Sequence, residues 1–335
     1  MDVSEIIGRA RTLVLPAMRG AVEAIEDPRM RLIAGYQLGW WDAEQHPVEA
    51  GGGKAVRPAL AVLSAQAAGD EPAGVAAGVA VELVHNFSLL HDDIMDRDVE
   101  RRHRPTGWVV FGDGQAILAG NAMLTAAIET VLRDGRHTEV VLPSLMHTVQ
   151  RLISGQSEDL ALERRADAAL DEVLHMEGGK TAALISCAAS IGALAAGAPS
   201  EMVDGLAEYG RLVGLAFQLV DDVLGIVGDP AVTGKSASSD LRAGKRSVPV
   251  VAALADGGDA SRELAALLAD GPPETDEQVA RGARLIRDAG GIAWTSAEAE
   301  KLVGQAGDAL AGAGLPRHAG DGFAAMAAYL VRRAS

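Results

Sequence analysis

One apolar segment of the chain ends in a dense group of carboxylates. Residues 73 to 98 have the composition of a buried helix, and the end reads HDDIMDRD, which places Asp92, Asp93 and Asp96 close together. Residues four apart share a helix face, so Asp92 and Asp96 direct their carboxylates to one place. Clustered carboxylates repel each other unless a cation lies between them, and oxygen ligands suit Mg²⁺. A solvated acidic helix end is the alternative, but the apolar residues before the aspartates argue against it.

A second helix, predicted over residues 201 to 227, carries Asp221 and Asp222 in its C-terminal part. In a helical bundle, antiparallel packing can bring two such aspartate pairs face to face around a common cavity. The sequence also supplies several separate basic side chains. They are Lys54, Arg57, Arg101, Arg102, Lys180, Lys235 and Lys245. Carboxylates together with cations indicate metal-bridged diphosphates, with room for two anionic substrates.

A pair of glycines interrupts another helical pattern, predicted over residues 169 to 197. Gly178 and Gly179 precede Lys180 and Thr181. Two glycines inside a helix indicate either a kink made by packing or the close approach of a ligand. The local sequence does not separate these two interpretations.

Composition bounds the fold and excludes some functions. Alanine, leucine and glycine dominate the 335 residues, aromatic residues make up 3%, and strand-like alternation is scarce, so we expect one all-α domain. A net charge of −16 argues against a nucleic-acid surface. The single cysteine, Cys187, excludes an internal disulfide and favours a reducing compartment, the cytoplasm. The uncharged segment 181 to 200 is only weakly hydrophobic, so we predict a buried helix and no membrane span.

Six motifs occur in an order that identifies a family resemblance. They are GGGKAVRP, HDDIMDRDVERRHRPT, AILAGNAML, GGKTA, FQLVDDVLGIVGDP and GKRSVP, within about residues 50 to 250. Together they resemble the trans-isoprenyl diphosphate synthases, such as farnesyl and geranylgeranyl diphosphate synthases. The resemblance implies a single polyprenyl synthetase domain over residues 1–335, with an all-α isoprenoid-synthase-type bundle around a central cavity. It also implies a homodimer that condenses isopentenyl diphosphate with dimethylallyl, geranyl or farnesyl diphosphate.

The resemblance further implies a role for each motif residue. The magnesium ligands, for three ions per active site, are Asp92, Asp96 and Asp221, supported by Asp93 and Asp222. The allylic diphosphate is held by Arg101, Lys180, Thr181, Gln218, Lys235 and Lys245. Isopentenyl diphosphate is held by Gly53, Lys54, Arg57, His85 and Arg102. The catalytic set is Asp92, Asp96, Arg101, Lys180, Asp221 and Lys235.

Two residues before the first aspartates are expected to limit the length of the product. In the family, the residues five and four positions before the first aspartate form the floor of the product tunnel, and here they are Phe87 and Ser88. One bulky and one small residue indicate fifteen to twenty carbons. We expect geranylgeranyl diphosphate, with farnesyl diphosphate as the alternative.

The sequence departs from the family pattern at three positions. Gly225 replaces a frequent third aspartate, His103 stands where glycine is usual, and Asn121 stands where aspartate is common. We expect weakened metal organisation at most from Gly225.

Two other functions are weaker alternatives. A class I terpene cyclase would not need the second basic set, which is Lys54, Arg57 and Arg102. A non-catalytic partner subunit would have lost motif residues.

Overall fold

A computed structural model describes residues 2–48, 53–163, 165, 167–228, 239–269 and 271–332. These residues are mostly helical, which confirms the predicted all-α fold. Within the same ranges, the extended strands are two short ones, β1 (Glu100–Arg101) and β2 (Arg104–Pro105), which pair as an antiparallel hairpin.

The helices follow one another with short connections. Those of the first part of the chain are α1 (Val3–Glu23), α2 (Pro28–Gln37), α3 (Val56–Ala67), α4 (Ala73–Met95), α5 (Gly107–Phe111), α6 (Asp113–Asp134) and α7 (Thr138–Leu162). The next are α8 (Leu170–Glu177), a π-helix (Gly178–Ala182), α9 (Ala183–Ala195) and α10 (Ser200–Val227). The last are α11 (Ser239–Arg242), α12 (Val248–Ala255), α13 (Asp259–Leu268), α14 (Asp276–Asp288), α15 (Gly291–Gly312) and α16 (Arg317–Arg332).

The chain forms two compact units, each assembled from separate stretches of sequence. The first unit consists of Met1–Val149, Ser186–Ala207 and Leu310–Met326. The second consists of Gln150–Ile185, Glu208–Ala309 and Ala327–Ser335. Neither unit corresponds to a continuous segment, and the single domain expected over residues 1–335 stays a prediction.

Helix α4 is the most buried long helix of the first unit and packs against α1, α3 and α6. Small residues let these neighbours come close: a Cβ on Gly74 would lie 2.7 Å from the Cα of Val62. A helix that is apolar on nearly all sides belongs in a core. It ends at Met95, three residues before the predicted end, because Arg97 adopts a left-handed backbone conformation with φ +57°.

Three helical segments of the described chain are long and apolar enough to cross a membrane. They are Ala73–Met95, Asp113–Asp134 and Leu170–Ala195. Of the 18 most apolar consecutive residues in each segment, 72%, 39% and 72% respectively are buried. The first and third are therefore largely covered by other parts of the protein, as expected for core helices. The absence of a membrane span stays a prediction.

In the second unit, short helices near the C-terminal side of the chain enclose an apolar cluster. Its buried members come from α10 to α14 and are Ile226, Leu241, Val250, Ala253, Leu264, Leu285, Ile286 and Ala289. Helix α14 begins with a capping box, in which the hydroxyl of Thr275 accepts a hydrogen bond from the amide of Gln278 at 3.2 Å. The chain beyond residue 258 continues the helical fold with α13 to α16.

Gly192 on α9 marks the tightest helix contact of the first unit, and an alanine there should be destabilising. Its Cβ would overlap the carbonyl of Ala61 and lie 2.6 Å from the Oγ of Ser64. We expect Gly192→Ala to lower the free energy of unfolding by about 1–3 kcal/mol, because α3 and α9 must separate. Urea denaturation followed by circular dichroism measures this. Gly304→Ala on α15, with nothing within 4 Å, is the control and should lose no stability. Equal stability of both variants would contradict the prediction.

Candidate functional site

The first aspartate set lies at the C-terminal end of α4, as the sequence predicts. Asp93 is 1% exposed and accepts hydrogen bonds from the Nε and Nη2 of Arg101 at 2.7 and 2.6 Å. Burial raises the pKa of the Asp93 carboxyl, and Arg101 opposes that rise. Asp92 and Asp96 are half-buried. The inward pair of Asp93 and Arg101 therefore leaves Asp92 and Asp96 as the carboxylates that solvent or a metal ion can reach.

The β1–β2 hairpin positions the two arginines that follow. Its two turn residues, Arg102 and His103, both have positive φ, +54° and +60°. A tight hairpin turn needs this left-handed conformation, which glycine adopts without cost. This accounts for the glycine that the family usually has at position 103. The hairpin also directs Arg101 back to Asp93.

A second group of charged side chains surrounds Glu82 of α4. Glu82 is buried, and burial raises the pKa of its carboxyl. The nearby positive charges of Arg57 and Arg102 oppose that rise. A Cβ on Gly53 would lie 3.0 Å from the Nη2 of Arg102, so Gly53 and Arg102 are in contact. The structure thus brings together Gly53, Arg57 and Arg102, three of the residues predicted to hold isopentenyl diphosphate.

His85 completes this group as a neutral side chain. Its pKa lies well below the ordinary value, first because the ring is removed from water and then because Arg57 and Arg102 are near. Lys54 is exposed, just before α3. A cavity of about 390 Å³ borders the group and is lined by polar residues, including Glu82, Asn86 and Arg102, and by apolar residues of α1. Arg57 has a buried Nε with no hydrogen-bond partner among the described residues, as expected of an anion site.

The second aspartate set lies on α10 in the second unit. Asp222 is buried and accepts hydrogen bonds from the Nε2 of Gln218 at 2.8 Å and from the amide of Val248 at 3.0 Å. Gln218 in turn accepts a hydrogen bond from the hydroxyl of Thr181 at 2.8 Å. The adjacent Asp221 is half-buried. This chain of hydrogen bonds fixes Asp222, whose supporting role at the metal site stays a prediction.

Lys180 lies on the π-helix and forms an ion pair with Asp159 of α7. The π-helix begins where α7 approaches most closely: a Cβ on Gly155 would lie 2.7 Å from the carbonyl carbon of Gly179. The two glycines at 178 and 179 therefore accompany a packing contact between helices, one of the two interpretations left open by the sequence. The close approach places Asp159, one turn after Gly155, beside Lys180.

Several polar residues around the predicted sites were missed by the sequence reasoning. They are Glu82, Gln156, Asp159, Glu177 and Asp240. Gln156 and Asp159 are one turn apart, and a glutamine and an aspartate at helical spacing within an amphipathic pattern could have indicated them. Glu177 is buried near Asp222, and burial raises its pKa well above the ordinary value. Glu82 is a single charge in apolar sequence, and a buried charge of that kind usually has partners.

The structure gives a physical reason for the glycine at position 225. A Cβ there would lie 2.5 Å from the carboxyl carbon of Asp240, so the carboxyl group of Asp240 occupies the space next to Gly225. An aspartate at 225 would collide with it.

Asn121 is exposed on α6, and nothing in the structure explains why it replaces aspartate. Lys235 lies outside the described residues, and Lys245 is near enough to Glu177 for its charge to lower that residue's pKa.

The donor sets of both units fit Mg²⁺. The first set has the half-buried Asp92 and Asp96 beside the buried Asp93, and the second has the half-buried Asp221 beside the buried Asp222. The Oδ2 of Asp93 is buried with no hydrogen-bond partner in the described part of the chain. A separate group, Asp42, Glu44 and His46, has ligand atoms within 4.8 Å of one another. There Asp42 accepts the amides of Glu44 and His46 at 3.0 and 2.8 Å, which is the geometry of a turn.

Comparison with known proteins decides the family. Residues 43–285 match the family model described as Polyprenyl synthetase. The chain belongs to the polyprenyl synthetase family. This polyprenyl synthetase is 47% identical over 333 residues to a (2E,6E)-farnesyl diphosphate synthase of Mycobacterium tuberculosis, covering 98% of this chain and 92% of the relative. It is 42% identical over 289 residues to a geranylgeranyl diphosphate synthase of the same species, covering 85% and 82%.

A solved structure supports the same assignment. The crystal structure of a polyprenyl synthetase from Streptomyces coelicolor A3(2) matches with a TM-score of 0.93 and 47% identity, covering 98% of this chain and all of the other. The predicted resemblance is confirmed, and the polyprenyl synthetase described here is a short-chain trans-prenyltransferase. Members of the family depend on magnesium and use isopentenyl and allylic diphosphates.

The raised pKa of Asp222 predicts that magnesium binds more weakly in acid. Burial raises this pKa from 3.8 to about 7, so the folded protein retains a proton that the unfolded chain loses. The Asp222 carboxyl therefore contributes to the free energy of unfolding below pH 4, and this contribution is lost as the pH rises towards 7. Magnesium needs the ionised form, so its dissociation constant should be about tenfold larger at pH 6 than at pH 8.

Isothermal titration calorimetry in buffers of different ionisation heat would measure both the affinity and the protons released. Asp222→Asn should reduce the pH dependence. Asp276→Asn, which alters a carboxylate that is 93% exposed, should retain it. Equal affinity of the wild-type protein for magnesium at pH 6 and pH 8 would contradict the assignment of Asp222 to the magnesium site.

Proposed function

We propose that this prenyltransferase adds isopentenyl diphosphate to allylic diphosphates and releases geranylgeranyl diphosphate as its principal product. The observation that carries the proposal is the presence of two chemically different sets of side chains in one unit. Asp92 and Asp96 offer carboxylates for metal ions, whereas Arg57 and Arg102 offer only donors and positive charge, beside the neutral His85. One set suits a metal-bound diphosphate and the other suits a diphosphate bound without metal.

The residues take their roles from this chemistry. Asp92, Asp96 and Asp221 are the magnesium ligands, for three ions per active site, and Asp93 and Asp222 support them. When bound, magnesium offsets the negative charge that develops on the departing diphosphate. The allylic diphosphate is bound by a set of donors consisting of Arg101, Lys180, Thr181, Gln218, Lys235 and Lys245. Lys180 can exchange its contact with Asp159 for a phosphate oxygen, because an ammonium group makes several hydrogen bonds.

Isopentenyl diphosphate is bound by the other set, Gly53, Lys54, Arg57, His85 and Arg102. His85 is neutral and contributes a hydrogen bond without adding charge. The carbon–oxygen bond of the allylic substrate breaks, and the double bond of isopentenyl diphosphate attacks the allylic carbon. A proton then leaves the new unit, and the released diphosphate accepts it. Apolar walls protect the allylic cation from water.

Phe87 and Ser88 favour a product of twenty carbons. Phe87 is buried in α4, whereas the hydroxyl of Ser88 donates to the carbonyl of His85 at 2.9 Å and so turns back on its own helix. One bulky side chain then limits the tunnel. Farnesyl diphosphate is the second candidate, and the 47% identity to a farnesyl diphosphate synthase favours it.

A product assay tests the proposed function. The purified protein would receive isopentenyl diphosphate, one allylic primer at a time and Mg²⁺, with an EDTA control. Products would be dephosphorylated and sized by gas chromatography and mass spectrometry. We expect metal-dependent geranylgeraniol. Farnesol alone would support the second candidate, cyclic hydrocarbon would indicate a terpene cyclase, and no turnover by folded protein would indicate a non-catalytic partner subunit.

The homodimer implied by the family would use α6. Ile117, Leu118 and Leu132 are 43%, 53% and 52% exposed, and Ile117 and Leu132 are about four turns apart on one side of this helix. Large apolar side chains exposed in a row favour an interface with a second copy. As in the family, the cytoplasm is the proposed location.

Charged residues on this face should therefore separate the subunits. We expect Ile117→Glu/Leu132→Glu to be monomeric, because the two carboxylates would have to be buried. Size-exclusion chromatography with light scattering measures the mass. Trp294→Glu on α15, which alters a residue that is 39% exposed, should remain dimeric. A dimeric double variant would exclude this face of α6.

A further inference from the structure

His91 is the residue that contacts the ring of Phe87 on the same face of α4. The two residues are four apart, and their ring centroids lie 5.1 Å apart with an angle of 80° between the planes. This edge-to-face arrangement is a favourable contact between aromatic rings. The imidazole therefore stands beside Phe87 and limits the directions in which the phenyl ring can turn.

Helix α6 holds His91 in this place. The Nε2 of His91 lies 3.1 Å from the carbonyl oxygen of Ile117. A carbonyl oxygen only accepts, so Nε2 carries a hydrogen and donates it. One turn of helix further on, Gly120 faces the same ring, and a Cβ on Gly120 would overlap Nε2 and lie 2.7 Å from Cδ2. Only a glycine leaves space for the imidazole at this crossing.

The consequence is a chain of contacts that runs from one helix to the other. The backbone of α6 fixes the imidazole through a hydrogen bond and a glycine-sized space, and the imidazole fixes Phe87 through ring contact. A phenyl side chain has few rotamers, so one firm neighbour can decide which of them is populated. The position of the ring is then set partly by α6, which carries none of the residues assigned to substrate or metal.

We propose that His91 and Gly120 are positioning residues that set the chain length of the product by fixing the ring of Phe87. The inference rests on the proposed function, in which Phe87 limits the tunnel. It goes beyond that function because it assigns product length to residues that do not themselves form the floor. His91 also precedes Asp92, so a competing role is to orient this metal ligand, and the experiment must separate the two roles.

The experiment is a double-mutant cycle with product length as the measured quantity. His91→Ala, Phe87→Ala and the double variant are compared with the wild-type enzyme at saturating Mg²⁺. We expect His91→Ala to raise the ratio of the next longer product to the principal product about fivefold, equivalent to about 1 kcal/mol between the competing steps. Phe87→Ala should lengthen the product further. The double variant should match Phe87→Ala, because His91 acts only through the ring that is then missing.

Gly120 supplies an independent test with a matched control. Gly120→Ala should displace the imidazole from the carbonyl of Ile117 and shift the products in the same direction as His91→Ala. Gly114→Ala lies on the same helix, adds the same methyl group and has nothing within 4 Å, so it should leave the product ratio unchanged. If His91→Ala does not fold, His91→Gln keeps a donor for Ile117 while removing the ring, and the same shift is expected.

Several results would overturn the proposal. A shift caused by His91→Ala that persists in the Phe87→Ala background would show that His91 acts independently of the ring. Unchanged product length with a higher Mg²⁺ requirement would show that His91 orients Asp92 instead. Normal turnover with an unchanged product in Phe87→Ala would overturn the inference while the proposed activity stands. Absence of any prenyl product from the wild-type enzyme would overturn both.

Discussion

Burying a carboxylate costs free energy unless a cation or a set of donors compensates it, and both units of this protein are arranged around that cost. Asp93 is compensated by Arg101, and Asp222 by Gln218 and the amide of Val248. In each unit the compensated aspartate is the one turned inward. Its neighbours, Asp92 and Asp221, are then half-buried carboxylates on a fixed frame. Fixed ligands lose little entropy when a metal ion binds.

Close packing between helices makes this arrangement possible. Small residues on α4 and the glycines at the contact of α7 with the π-helix let backbones approach until a single methyl group would not fit. Interiors packed in this way hold side chains in one rotamer. Asp159 meets Lys180, and His91 meets the carbonyl of Ile117, because the backbones that carry them have no alternative spacing.

Much of this was available from the sequence. The apolar run before Asp92 predicted the central helix, and the ordered motifs predicted the family. The two aspartate pairs predicted metal ligands, and this part stays a prediction. The partners of the charged groups were not predictable, because the contacts of Glu82 with Arg57 and of Asp240 with Gly225 form only once segments distant in sequence meet. The strained hairpin at Arg102 and His103 was also hidden, since neither residue type signals a left-handed backbone.

The π-helix at Gly178–Ala182 has a consequence for how this sequence can change. A π-turn holds one more residue than an α-turn, and each residue advances an α-helix by about 100°. Deleting one residue within it would convert this wide turn into an α-turn, and the residues that follow would keep nearly the same angle. What would be lost is the wide turn itself, at which the backbone of Gly179 approaches Gly155. Homologous chains should therefore tolerate the loss of one residue here better than within a regular α-helix, where it would rotate the rest of the helix by about 100°.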